Sequence, residues 1–220
     1  MEATLAQAVF DGEGLRRLTL DHSVASFCKP GQYLMVGVGE SEPIFLAIAS
    51  SPGEPVELLV KDQPSGTAHA LYGLQEGSSL SISQAMGEGF AMEAVEGRPL
   101  IILCNGSGIS AVRPVIRAEI AAGLSRPVAF YYGVRSLEHR SFAEDLRAWE
   151  GSGVEVHIVL HAPDEGGELA WGWVQEVAAA QDQVRADVGV VLCGVPRMIE
   201  RARTAFEAVG CPADCVLTNF

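Results

Sequence analysis

The sequence predicts two units: an all-β part over residues 1–97, an antiparallel barrel or sandwich, and an α/β part over residues 98–220 built on a parallel sheet. Three observations carry this. The first part is a series of short β-forming runs separated by Gly/Pro turn clusters. In the second part apolar runs alternate with stretches of helical periodicity. Where the two meet, residues 98–111 (RPLIILCNGSGISA) read as a buried strand, a glycine turn and a helix start.

In the first part, strands are predicted at 6–10, 15–20, 33–38, 45–49, 56–60 and 79–83, all rich in β-formers. The turns between them include Asp11-Gly12-Glu13-Gly14, Lys29-Pro30-Gly31, Ser51-Pro52-Gly53 and Glu76-Gly77. Residues 67–74 are the one place in this part where a short helix fits. In the second part, strands are predicted at 100–104, 127–132, 154–160 and 188–193, alternating with helices at 109–122, 138–149, 172–180 and 196–209. Gly123, Gly151, Gly153 and Gly210 follow helical stretches at positions a C-cap wants. The boundary falls near residues 96–99, and no repeat or low-complexity segment is visible.

The glycine turn has a chemical reading. Gly106 and Gly108 let backbone approach an anion, and the free N–H groups at the start of the next helix point at it. Ala111 stands where the third glycine of the dinucleotide fingerprint would be. On its own, the pattern reads first as an ordinary strand-to-helix turn.

Composition excludes several partners. The net charge is −13; residues 1–97 hold 4 basic and 13 acidic groups, residues 98–220 hold 11 and 15, so the parts stand at −9 and −4. Such a chain lacks the Lys/Arg needed to hold nucleic-acid phosphates, and anionic membranes repel it. The five cysteines (28, 104, 193, 211 and 215) are odd in number and contain no Cys-x-x-Cys, so no metal site is expected and free thiols are. No apolar run reaches a membrane-spanning length, and no secretory signal is visible; a cytoplasmic location is expected.

Taken together and in order, the motifs resemble the ferredoxin–NADP reductase superfamily. Residues 27–34 (FCKPGQYL) resemble its Pro-Gly-Gln lead-in, and 48–52 (IASSP) the tail of its flavin motif. Gly66-Thr67-Ala68-His69 resembles its pyrophosphate turn, and residues 105–110 (NGSGIS) its nicotinamide-side loop. Residues 132–135 (YGVR), 193–198 (CGVPRM) and the Asn219-Phe220 ending resemble later family motifs. A narrower resemblance, to plant ferredoxin–NADP-reductase-like proteins first described as a fruit protein, rests on residues 83–90, 149–154, 191–194 and 217–220. Those plant proteins carry a chloroplast transit segment, which this chain is expected to lack.

The resemblance implies a FAD-binding β-barrel domain at 1–97 and a Rossmann-like NAD(P)-binding domain at 98–220. It implies hydride transfer between NAD(P)H and flavin, with electrons passed to an unknown acceptor, an electron-acceptor protein among the expected partners. The family's Arg-x-Tyr-Ser/Thr flavin run falls on Ile44, Leu46 and Ala47, so its three polar functions are missing. Flavin contact would then come from Phe45 and the backbone of Leu46, Ala47, Ile48 and Ala49, with charge from Lys61 and helix-start N–H groups at Gly66, Thr67 and Ala68. The same residues are also readable as a plain apolar barrel strand. Gly106, Gly108, Ile109 and Ser110 would hold the pyridine nucleotide, Ser107 and Cys193 would flank the reacting rings, and Gly194 and Phe220 would complete the site. The Ser-Arg pair that clamps a 2′-phosphate is missing at Leu160-His161-Ala162, with Arg135 the one substitute nearby. NADH preference, or weak binding of both nucleotides, follows. The competing reading is a non-catalytic or weakly catalytic module that holds flavin or binds a partner. Cys211 and Cys215 alone do not make the cluster of the family's iron–sulfur subunits.

Overall fold

A computed structural model describes residues 1–163 and 169–219. Strands β1 (Glu2–Phe10), β2 (Leu15–Leu20), β3 (Tyr33–Gly37), β4 (Ile44–Ala47), β5 (Glu57–Lys61) and β6 (Ser79–Ile82) form an antiparallel sheet in the order β4-β3-β6-β1-β2-β5. Its two edge strands meet through an antiparallel bridge between Ile48 and Leu58, which curls the sheet into a barrel. Inward-facing Leu5, Leu18, Leu34, Val36, Leu58 and Leu80 fill it. The short helix α1 (Gly66–Tyr72) packs beside β5.

The second sheet is parallel throughout: β7 (Leu100–Asn105), β8 (Val128–Val134), β9 (Glu155–Leu160), β10 (Ala170–Trp171), β11 (Gly189–Cys193) and β12 (Val216–Thr218), in the order β10-β9-β8-β7-β11-β12. Helices α2 (Ile109–Ala121), α3 (Ala143–Ser152), α4 (Val174–Ala180) and α5 (Pro196–Ala208) accompany it. Every residue of β11 and all but the last of β7 are buried, as central strands covered on both faces must be. From β7 the chain steps outward through β8 and β9, then returns to place β11 on the other side of β7. This reversal opens a crevice at the carboxyl ends of β7 and β11.

Several element boundaries differ from the expectations. The helix expected at 138–149 begins at Ala143, because residues 137–139 form a separate 3-10 turn and Phe142 is held left-handed at φ 55°. The helix expected at 172–180 begins at Val174, since Trp171 belongs to β10. β1 starts at Glu2, four residues early, because Glu2, Ala3 and Thr4 pair with β6.

Candidate functional site

The carboxyl ends of β7 and β11 are locked together by two glycines and one asparagine. Cys104 and Cys193 are register partners on these neighbouring strands. The next residue on β7, Asn105, accepts a hydrogen bond at Oδ1 from the Val195 N–H at 3.0 Å. A Cβ on Gly194 would overlap that same Asn105 oxygen, and one on Gly108 would stand 2.7 Å from the Cys193 carbonyl oxygen. Only glycine fits at either place. The turn Gly106–Gly108 then runs into α2, whose first-turn N–H groups have no partner within the helix. Ser110, in that first turn, is 3% exposed, and its Oγ has no hydrogen-bond partner among the described residues.

Opposite stands the barrel wall formed by β4 and β5. Between the two lies a cleft of about 930 Å³, within the range of small-molecule and cofactor sites. Phe45, Leu46, Ala47 and Lys61 line its barrel side, and Gly106, Ser107, Gly108, Ser110, Arg135, Cys193 and Gly194 its α/β side. Phe45 is 63% exposed and is held edge-on against Tyr33, ring centroids 5.6 Å apart.

Other expected site residues lie elsewhere. Ile48 and Ala49 are fully buried, and their backbone is used within the barrel: the Ile48 N–H donates to the Gln32 carbonyl at 3.1 Å beside the β3–β4 ladder, and the Ala49 N–H to the Glu57 carbonyl at 2.8 Å where the barrel closes. The Ala49 carbonyl accepts from Arg113 at 2.7 Å. The expected backbone contacts from these two N–H groups are therefore corrected: both are spent inside the protein. The Thr67 hydroxyl donates to the Glu42 carbonyl at 2.5 Å, and Thr67 lies outside the cleft lining. Gly66 and Ala68 open α1 outside the cleft lining, and Ile109 is fully buried in the core. Phe220 lies outside the described residues.

The charges in the cleft are few. Lys61 and Arg135 are exposed and form no ion pair among the described residues. Burial pushes the Cys193 thiol up to about 12 and raises that of Cys104 as well, so both are neutral near pH 7. Cys193 thus presents a small uncharged surface, not a thiolate. Among the described residues no group of His, Cys, Asp and Glu is arranged to hold a metal ion, and no helix is long and apolar enough to cross a membrane.

Three features escaped the sequence reading. Asn105 was legible as a polar residue closing an apolar strand just before a glycine. Trp173 lines the cleft with the guanidinium groups of Arg197 and Arg201 stacked on it at 5.4 and 5.3 Å. The third is Arg113, a charge on the apolar stripe of α2.

Comparison with known proteins agrees with this architecture. Residues 102–204 match the model of the oxidoreductase NAD-binding domain family. The chain is 32% identical over 214 residues to the fruit protein pKIWI502 of Actinidia deliciosa, covering 89% of this chain and 67% of that protein. It is 26% identical over 202 residues to the ferredoxin–NAD(P)(+) reductase component of a naphthalene 1,2-dioxygenase system of Pseudomonas putida, covering 89% of this chain and 61% of the other. The chain spans less than two thirds of that reductase component. In fold it is similar to the Amycolatopsis cytochrome P450 reductase GcoB, with a TM-score of 0.86 at 22% identity over 100% of this chain and 69% of that one. It is also similar to a Neisseria gonorrhoeae ferredoxin NADP+ reductase solved with bound FAD and NADP, with a TM-score of 0.82 at 17% identity over 96% and 91%. The barrel, the parallel sheet, the interlocked glycine loops and a 32%-identical relative covered over two thirds of its length together place this chain in the ferredoxin–NADP reductase superfamily.

Proposed function

We propose that this chain is an oxidoreductase that holds FAD against the barrel wall and a pyridine nucleotide against the α/β wall, and passes electrons from the nucleotide to a separate acceptor. The carrying observation is the cleft itself, which brings β4 and β5 of one sheet face to face with the glycine turn and the Cys193-Gly194 turn of the other. In this reading residues 1–97 form the flavin-side unit and 98–220 the nucleotide-side unit. The P. putida relative is named as a reductase component, which favours an acceptor that is itself a protein.

When bound, FAD supplies the exchange between two-electron and one-electron carriers. The residues lining the cleft fit such a group. Leu46 and Leu59 offer apolar surface to a ring, and Lys61 offers an unpaired cation to a phosphate. On the other wall, the start of α2 and the orphaned Ser110 hydroxyl give a nucleotide its hydrogen bonds. Gly108 and Gly194 hold those donors in place by allowing two backbones to touch. Cys193 and Ser107 flank the space between the walls, and Cys193 stays protonated there. Arg135, just past the end of β8, faces the same space as the one Lys or Arg among the described residues on the nucleotide side of the lining.

One observation favours a second reading, a non-catalytic or weakly catalytic module. Leu46 and Ala47 bring neither an aromatic ring nor a hydroxyl to the cleft, and the Thr67 hydroxyl is already engaged. The visible absorption spectrum of the purified protein, with the released cofactor identified and then titrated with NADH and NADPH, tests both. A flavin bleached by either nucleotide supports the oxidoreductase; flavin that is bound yet not reduced supports the module. Protein that neither carries FAD nor takes it up on reconstitution rules out the first reading.

A further inference from the structure

Arg113 is a charge in a place where charge is costly. It lies on α2 four residues after Ile109, on the stripe of Ile109, Val112 and Ile116 that faces the core, and its side chain is 7% exposed. A guanidinium so buried persists only when fully paired. Its Nε donates to Asp145 Oδ2 at 2.7 Å, and its Nη1 to the Ala49 carbonyl at 2.7 Å and to Glu57 Oε2 at 2.6 Å. Its carbon centre stands 4.5 Å from the centroid of the Phe142 ring.

These partners belong to different walls of the cleft. Ala49 and Glu57 are barrel residues; Ala49 lies two residues past Ala47 and Glu57 two before Leu59, and both Ala47 and Leu59 line the cleft. Asp145 and Phe142 belong to the other unit, and Ser110, about one helical turn before Arg113, lines the cleft from that side. One side chain therefore ties the two walls together within three residues of the surfaces they present.

We propose that Arg113 is a positioning residue that sets the separation of the two cleft walls, and with it the approach of electron donor to acceptor. The inference rests on the oxidoreductase reading. Transfer between two bound groups is steep in distance, and a displacement of about 1 Å costs on the order of a hundredfold in rate. Lysine at this position keeps the charge but loses the planar fork that serves three acceptors at once. The same helix supplies an internal comparison: Arg117 also crosses between the units, to Glu54 at 2.6 and 2.8 Å, but with both side chains substantially exposed.

Two measurements test this. In flavin-loaded protein, Arg113→Lys should lower the limiting rate of flavin reduction by at least about tenfold while nucleotide Kd changes by less than about threefold. Arg117→Gln should leave both within about twofold. Separately, in a Cys28→Ser background, spin labels at His69→Cys and Arg203→Cys report the distance between the units without any cofactor. Arg113→Lys should broaden that distribution, and Arg117→Gln should not. A parental rate, a rate loss matched by lost nucleotide affinity, or an unchanged distance distribution would overturn the proposal. Should the lysine variant fail to fold, Asp145→Asn removes one arm of the same clamp from outside and is held to the same outcomes. If the parent protein carries no reducible flavin, the oxidoreductase reading falls, and the distance distributions still decide whether Arg113 sets the wall separation.

Discussion

Gly194 and Ala47 are small residues with opposite consequences. Gly194 has φ 155°, and the space a Cβ would need is taken by Asn105 and by the Met198 methyl group. Gly194→Ala forces the Asn105 side chain off the Val195 N–H and should cost about 1–3 kcal/mol, read as a lower urea midpoint. Ala47 is small in a place where something larger is tolerated, since it lines open cleft. If the oxidoreductase reading holds, Ala47→Ser adds a hydrogen-bond donor to the wall proposed to face the flavin. One such bond is worth about 1 kcal/mol net, so flavin reduction should rise about fivefold in stopped-flow traces. An unchanged rate with flavin still bound would show that this position does not limit the reaction.

The elements were legible where local patterning decides them. β2 lies at 15–20 as its run of β-formers predicts, and the four main strands and helices of the α/β unit lie where the apolar runs do. What escaped detection was decided by partners distant in the chain. β10 and β12 are two and three residues long and exist because β9 and β11 offer them an edge. Phe142 is left-handed because the Asp11 carboxylate, from the end of the barrel's first hairpin, accepts its N–H at 2.8 Å. Likewise the clefted half of β4 was readable, whereas the Ala49 N–H is taken by Glu57 across the closed barrel and the Thr67 hydroxyl by Glu42, partners distant in the chain. Helix α2 carries a pH effect of its own. The Arg117 guanidinium holds the Glu54 carboxyl below its ordinary value, as does the Ser51 N–H. A carboxyl with a lowered folded pKa adds stability that is present above its unfolded value and lost as pH falls through the folded one. Arg117→Gln should therefore reduce stability near pH 7 by under about 1 kcal/mol, and urea titrations should show the deficit shrinking as the pH is lowered and Glu54 is protonated.

For the molecule as a whole, charge weighs on the choice of nucleotide. The net charge is −13, and among the described residues Arg135 is the one Lys or Arg on the α/β side of the cleft lining. A 2′-phosphate is a dianion near neutral pH, and a neutral imidazole such as that of His139 or His161, which also line the cleft, offers one donor. NADH should bind at least as tightly as NADPH, as direct titration with each would read. NADPH binding tighter by tenfold, a gap of about 1.4 kcal/mol, would mean that Arg135 acts with a second cation, and the stacked Arg197 would be the first to replace.

Of the five cysteines, Cys28 alone is exposed; Cys104, Cys193, Cys211 and Cys215 are buried. Maleimide added to the native protein should therefore label one thiol, and all five only after denaturation. Because Cys104 and Cys193 sit in the two strands that carry the glycine turns, their appearance in a labelling time course marks the opening of this part of the structure. Mass spectrometry of alkylated peptides thus turns ordinary sulfur chemistry into a clock for local unfolding beneath the cleft, readable without cofactor, substrate or partner.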